Sequence, residues 1–355
     1  MRLISGILRR AVYPVLGRTG YFRSQAAALS VVTYHGVLPR GYRSSDPFLD
    51  DPLLDVESLR AQLRLLKRHY RVISPDEFLR WLQGIEDLPP RSVLLTCDDG
   101  LVNNLTTMLP VLQEEQLQCL FFVTGKSASD SPGILWYVDL YRMLMKVRGR
   151  RDPALWKGTA IPAIPAFLHE RRATWHRLMK ALSVLDASTR EEFLGDASAT
   201  WGVERCAASD GEDRVLQERF RLLSAAELKQ LSNAGMTIGA HTMSHPMLSA
   251  QPRETAQAEI GDCRGALQAC VGRPIWALAY PFGDPSSVGE REYELAKSAG
   301  YECAFVNVTH PMDRNAPFSL PRVHITATMS LPVFEAHVSG FHSLAQRKLR
   351  GPAWR

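Results

Sequence analysis

The sequence predicts an α/β chain whose strands and helices close into a barrel, with a helical insertion between two barrel strands. Three observations carry this. Short apolar, β-branched runs alternate with helical patterns of ten or more residues, the rhythm of a parallel sheet. Seven or eight such units are present, which favours closure over an open sheet. The rhythm then breaks across residues 127–222 and resumes at Ser224.

In order, Ser30–Val37 reads as a buried strand and residues 38–55 as a loop. A helix over 56–70 puts Leu59, Leu63 and Leu66 on one face, and Val72-Ile73 is a short strand. Ser74, followed by Pro75 and Glu77, caps a second helix. A strand at 93–97, a helix at 104–115 and a strand at 119–124 form the next unit. Ser224 with Glu227 is a capping box for a helix ending at Gly235. Strands at 236–241, 275–280, 301–306 and 321–326 follow, with helices at 253–270 and 287–299 between them. The insertion has helical patches at Trp136–Val147 and Trp175–Leu185, a Pro-rich run at 161–165 and a polar stretch at 209–211. Trp136, Tyr137 and Tyr141 read first as core aromatics of the insertion and second as a face for a sugar.

The expected organisation is a basic amphipathic segment over 1–29 and a barrel over 30–326 interrupted by 127–222. An amphipathic helix and tail complete the chain over 327–355. With 355 residues, 45% of them hydrophobic, the chain can bury a large core. A net charge of +5, without interleaved basic and aromatic residues on one element, argues against a nucleic-acid partner. The six cysteines form no CxxC pair, so reduced thiols are expected. No apolar run is long enough to span a membrane, and Arg18 and Arg23 interrupt any leader-like stretch. A cytoplasmic location is therefore expected. The N-terminal segment is read as packing on the domain, with peripheral docking on the inner membrane face as the alternative.

The chemistry concentrates at strand ends. Val93–Cys97 runs into Asp98-Asp99-Gly100, and adjacent carboxylates are costly to bury unless a cation or proton separates them. Alone, this stretch reads equally well as a strand followed by an Asp-Gly turn. Gly239-Ala240-His241-Thr242-Met243-Ser244-His245 decides between them. If the chain turns helically there, its two histidines share a face and reach one ion. A carboxylate and two imidazoles with open positions suit Zn²⁺ or another divalent metal. The six other histidines outside Tyr34-His35 and Val323-His324 have no context that argues for a role.

With these motifs the sequence resembles the polysaccharide deacetylases, the NodB-homology enzymes of carbohydrate esterase family 4. Thr96-Cys97-Asp98-Asp99-Gly100 matches their first motif, with Cys97 in place of Phe. His241 to His245 matches the second, and Tyr280-Pro281-Phe282-Gly283 approximates the third. The resemblance covers about residues 30–126 and 224–326. It implies a distorted TIM-like barrel in which Asp99, His241 and His245 are metal ligands and Asp98 is the general base. The backbone N–H of Phe282 would stabilise the oxyanion. Leu278 and Ala279 stand where the family has an Arg that orients the base, and Arg322 is the substitute, with a plain surface Arg as the alternative. The general acid is His324 in the usual motif order. It is His35 if Tyr34-His35 matches the early motif of the poly-N-acetylglucosamine deacetylases, whose motifs look circularly permuted. His35 is preferred, because a barrel makes its first and last strands neighbours.

The expected activity is metal-dependent removal of N-acetyl groups from an amino sugar of a surface polysaccharide, oligosaccharide or lipid-linked precursor. The alternatives are a non-catalytic glycan-binding barrel, or hydrolysis of another C–N or ester bond at the same site.

Overall fold

A computed structural model describes residues 11–24, 26–38, 41–42, 50–205, 218–308 and 310–350, with side chains to 345. Residues 1–10, much of the 38–55 loop and the polar stretch at 209–211 lie outside it.

The strands form a parallel barrel: β1 (Leu29–Tyr34), β2 (Arg71–Ile73), β3 (Ser92–Cys97), β4 (Leu120–Val123), β5 (Thr237–Ala240), β6 (Ala277–Ala279) and β7 (Cys303–Val306). It closes through β8 (Leu320–Pro321) and β9 (Val323–His324). The order is β8-β7-β6-β5-β4-β3-β1-β9, with β2 on β3. Residues 320–324 are in effect one strand broken at Arg322. Its first half pairs with β7 (Phe305 with Leu320) and its second with β1 (Val32 with Val323). The far side of β3 is shared, with β2 pairing its first half and β4 its end.

Alternation along the strands divides the core into two layers. Val31, Leu94, Leu120, Phe122, Ala277, Phe305 and Leu320 fill the barrel, joined by Phe78. Val32, Leu95, Cys97, Phe121 and Ile238 face outward and pack on helix residues such as Leu59, Leu63, Leu66, Leu228 and Ile260. The helices are α1 (Tyr13–Arg18), α2 (Tyr21–Ser24), α3 (Val56–His69), α4 (Pro75–Leu82), α5 (Leu109–Glu114), α6 (Trp136–Lys146), α7 (Leu168–Ser183), α8 (Ala187–Trp201), α9 (Ala225–Asn233), α10 (Arg253–Val271), α11 (Glu290–Ser298), α12 (Leu331–Val338) and α13 (Phe341–Arg350). The capping boxes expected at Ser74/Glu77 and Ser224/Glu227 are both formed.

The expected helix at 104–115 begins as a π-helical turn, Asn104–Met108, directly after the site loop. Between β4 and β5 lie α6, α7 and α8 with a small hairpin, Ala154–Trp156 against Thr159–Ile161. The sequence pattern had shown two of these three helices and not the hairpin. Helix α8 carries only weak apolar periodicity, so Phe193, Leu194 and Trp201 give little helical signal. Those side chains join Trp136, Leu140, Leu144, Leu178 and Leu182 in a core separate from the barrel's. At the other end of the chain, α1 and α2 pack against α12 and α13 around Tyr13, Phe22, Val333 and Ala336.

Candidate active site

The carboxyl ends of β1, β3, β5, β6 and the closing strand converge on one set of polar side chains. Four of its loop residues are held in backbone conformations that L-residues rarely adopt. Asp99, Thr242, His245 and Phe282 have φ of 74°, 62°, 59° and 63°. Such conformations each cost about 1–3 kcal/mol and persist only where the surroundings over-determine them. Glycine does the same work beside two of them. At Gly100 (φ 75°) a Cβ would fall 2.5 Å from Val123 Cγ1, and at Gly283 (φ 68°) 2.7 Å from the Asn307 nitrogen.

Asp98 and Asp99 leave β3 in different directions. Asp98 is buried and clamped by Arg322, with Nη1 to Oδ1 and Nη2 to Oδ2 both 2.7 Å. Burial pushes the Asp98 carboxyl up, but the groups around it, the Arg322 guanidinium first among them, more than reverse this and take it down to about 2. Arg322 lies over the rings of Phe122 and Phe305, two residues of the barrel core. It is therefore not a surface residue, and the break in the closing strand at Arg322 coincides with its reach for Asp98. Where β6 offers Ala279 instead of an arginine, its carbonyl has another task, accepting from His241 Nδ1 at 2.7 Å.

That bond requires the proton on Nδ1, so His241 Nε2 presents a lone pair. It lies 3.6 Å from Asp99 Oδ1, as does Nε2 of His245. Burial holds both imidazoles below their ordinary pKa, so both are neutral. Burial and then the Asp98 charge push Asp99 up to about 8. The His241 lone pair, His245 Nε2 and the Asp99 carboxyl thus converge, their ligand atoms all within 4.8 Å of one another. This donor set fits a divalent metal ion.

His35 and His324 stand edge to face with ring centroids 4.8 Å apart. His35 is half-buried and His324 exposed. Burial, then His324, takes His35 down to about 3, and its buried Nδ1 has no partner among the described residues. Phe282 packs against His245 (5.1 Å between ring centroids), and its carbonyl accepts from Asn307 Nδ2 at 2.9 Å. Among the described residues its N–H has no acceptor. Every site residue expected from the sequence is therefore in this one region.

Of the three insertion aromatics, Trp136 and Tyr141 are buried as core, and Tyr137 reaches the site. Its hydroxyl is 3.5 Å from Asp99 Oδ2 and its ring packs on His245. Nothing in the local pattern separates Tyr137 from its neighbours, since what distinguishes it is its contact with Asp99 and His245, far away in sequence.

The polysaccharide deacetylase family model matches residues 86–144 and 199–304. These segments, just under half of the chain, carry β3 to β6 and the start of β7 with Asp98, Asp99, His241, His245 and Phe282, and over them the chain is similar to that family. The residues between them hold the hairpin and most of α7 and α8. Outside them lie β1 and the closing strand, with His35, Arg322 and His324. No curated protein matches the chain in sequence. Among solved structures, the chain resembles the deacetylase PplD of Streptococcus pyogenes in complex with acetate (16% identity, TM-score 0.54, covering 88% of this chain and 99% of that one). It also resembles IcaB from Ammonifex degensii (18%, 0.53, 89% and 98%) and a de-N-acetylase from Aggregatibacter actinomycetemcomitans (12%, 0.51, 87% and 99%). At these identities the likeness is one of fold.

Proposed function

We propose that the chain is a metal-dependent hydrolase that removes N-acetyl groups from an amino sugar of a surface polysaccharide, an oligosaccharide or a lipid-linked precursor. The observation that carries this is the division of labour at Asp98-Asp99: one carboxylate faces two neutral imidazoles, the other is locked to Arg322. De-N-acetylase and IcaB structures share the fold, and the family match supports a glycan substrate.

Asp99, His241 and His245 would hold the ion, Zn²⁺ or another divalent transition metal. Bound there, it supplies Lewis acidity toward water and the acyl oxygen. Asp98 takes the proton from the attacking water, and Arg322 keeps that carboxylate ionised and fixed in orientation. The free N–H of Phe282 donates to the acyl oxygen as it gains negative charge. The C–N bond then breaks as His35 protonates the departing amine; neutral at rest, that imidazole, with His324 packed against it, first takes up the proton that Asp98 drew from water. The products are acetate and the free amino sugar. A pure glycan-binding barrel would have no use for the arginine-clamped base.

The test is acetate release from N-acetylglucosamine oligomers and related glycans, with acetyl esters alongside, before and after chelation. Metal-sensitive release from the N-acetyl substrates, lost in Asp98→Asn, is expected. Release from esters alone would move the activity to another bond, and release from none of the panel would overturn the hydrolase reading.

A further inference from the structure

The turn that carries His241 and His245 is strained at both ends, and the residues holding it come from elsewhere in the chain. A β-branched residue at φ 62°, as in Thr242, is a genuine outlier that its own local sequence does not support. Only one bond within the turn opposes the strain, the His245 N–H to Thr242 Oγ1 at 3.1 Å. The remainder comes from outside the turn: the Gly125 N–H donates to the Thr242 carbonyl at 3.0 Å, and Ser244, next to His245, is anchored on α10. Its N–H and hydroxyl both donate to the Glu259 carboxylate on α10, at 2.8 and 2.5 Å. The Met243 N–H donates to the Glu259 carbonyl at 3.0 Å.

On its other side Ser244 meets Arg190, a residue of α8 in the insertion. Arg190 Nη2 donates to Ser244 Oγ at 2.8 Å and to the Ser244 carbonyl at 3.3 Å. Its Nη1 donates to the Leu185 carbonyl at 3.1 Å. The guanidinium lies over the Trp136 ring, 5.0 Å from its centroid, and the Trp136 indole N–H donates to the His245 carbonyl at 3.0 Å. Arg190, Ser244 and Glu259 are all buried, so an arginine and a carboxylate face each other across one serine with little water between. The insertion has its own apolar core, and Arg190 reaches from the edge of it, over Trp136, to the turn. A buried cation is costly unless its hydrogen bonds are met, and here two of them are met by the turn.

We propose that the insertion is a working part of the active site, with Arg190 as a positioning residue. Through Ser244, and with Trp136 beneath it, Arg190 holds the His241–His245 turn in its strained form, so that both Nε2 atoms face Asp99. This rests on the assignment of His241, His245 and Asp99 as metal ligands. It goes beyond that assignment by making metal affinity depend on a helix outside the barrel.

The experiment compares wild type, Arg190→Met and Arg190→Lys, each stripped of metal and titrated with Zn²⁺ against a chromophoric chelator. Hydrogen exchange of the 241–246 amides is followed in the same metal-free samples. Arg190→Met keeps an unbranched chain over Trp136 and removes both donors to Ser244. Zinc affinity is expected to fall at least about tenfold, the lower end for loss of an outer-shell partner of a metal site. Exchange across 241–246 should speed up beyond any general rise that accompanies the lower melting temperature of the metal-free variant. Arg190→Lys keeps one donor and should recover part of the affinity. A merely structural arginine would lower the melting temperature and leave zinc affinity within about twofold of wild type, and that result overturns the proposal. If wild type binds zinc and Arg190→Met weakens it, but no glycan is deacetylated, the functional reading falls and this one stands. If wild type binds no divalent ion, both fall.

Discussion

Removing the Arg322 guanidinium from Asp98 is the most direct test of how this site is built. The pair is bidentate at 2.7 Å, with side chains 0% and 1% exposed, so neither partner has water to fall back on. Opposite charges about 4 Å apart attract by about 4 kcal/mol at an effective dielectric of 20. Deleting one member of a buried pair costs about 3–5 kcal/mol, because the other is left charged and unpaired. Arg322→Met should therefore destabilise the chain by about that amount, which at this length lowers the melting temperature by about 4–7 °C. Asp98→Asn should cost a similar amount by stranding Arg322. The double variant strands neither charge and should be more stable than the sum of the single effects by about 3–5 kcal/mol, as read from chemical denaturation of all four proteins. All three variants should be inactive. Additivity to within about 0.5 kcal/mol would mean that the two side chains are not energetically coupled, and the role of Arg322 in holding the base would be wrong.

The other predictions follow from the same geometry. Asp99→Ala should lose zinc and activity together, whereas Asp98→Asn should retain zinc, measured by metal analysis after gel filtration, and lose rate; equal metal loss would mean the two roles are misassigned. His35→Asn should lower kcat by about 10²–10⁴, the contribution of a general acid, and His324→Asn by less. The reverse order would transfer the acid to His324. Away from the site, hydrogen bonds from Arg221, opposed by burial and aided by Ser224, take Glu227 from 4.5 down to about 2. Its folded value is the lower one, so its contribution to stability is present above about pH 4.5 and lost as pH falls through about 2. The gap in urea midpoint between wild type and Glu227→Gln should therefore be widest near neutral pH and vanish toward pH 2. A gap that persists there would show that the capping geometry matters and the charge does not.

Much of the barrel was legible because parallel strands buried on both faces are near-continuous apolar runs, as at Val93–Thr96 and Leu120–Val123. Legibility failed where local pattern stops governing structure. The 104–108 turn is π-helical and runs directly into α5, where a continuous α-helix over 104–115 is the sequence expectation. The closing strand splits at Arg322 because that side chain is needed inside the barrel, and a period-2 reading of 321–326 contains no sign of the break. Helix α8 was missed because a helix that packs inside a small separate core can do so on a few large residues, without an amphipathic stripe.

At the site, residue identity was legible and mutual position was not. Asp98, Asp99, His241 and His245 announce themselves as costly groups at strand ends. What orients them comes from 322, 137, 190 and 259, positions far away in sequence, whose types fit equally well on a surface or in a core. The strain at Asp99, Thr242, His245 and Phe282 unites the two sets, because left-handed backbone at non-glycine residues has to be held from outside. A residue that clamps such a turn is under a geometric demand as strict as that on the ligand it positions. The groups that hold these residues therefore extend beyond the motifs, to α10 and to two helices of the insertion, α6 and α8.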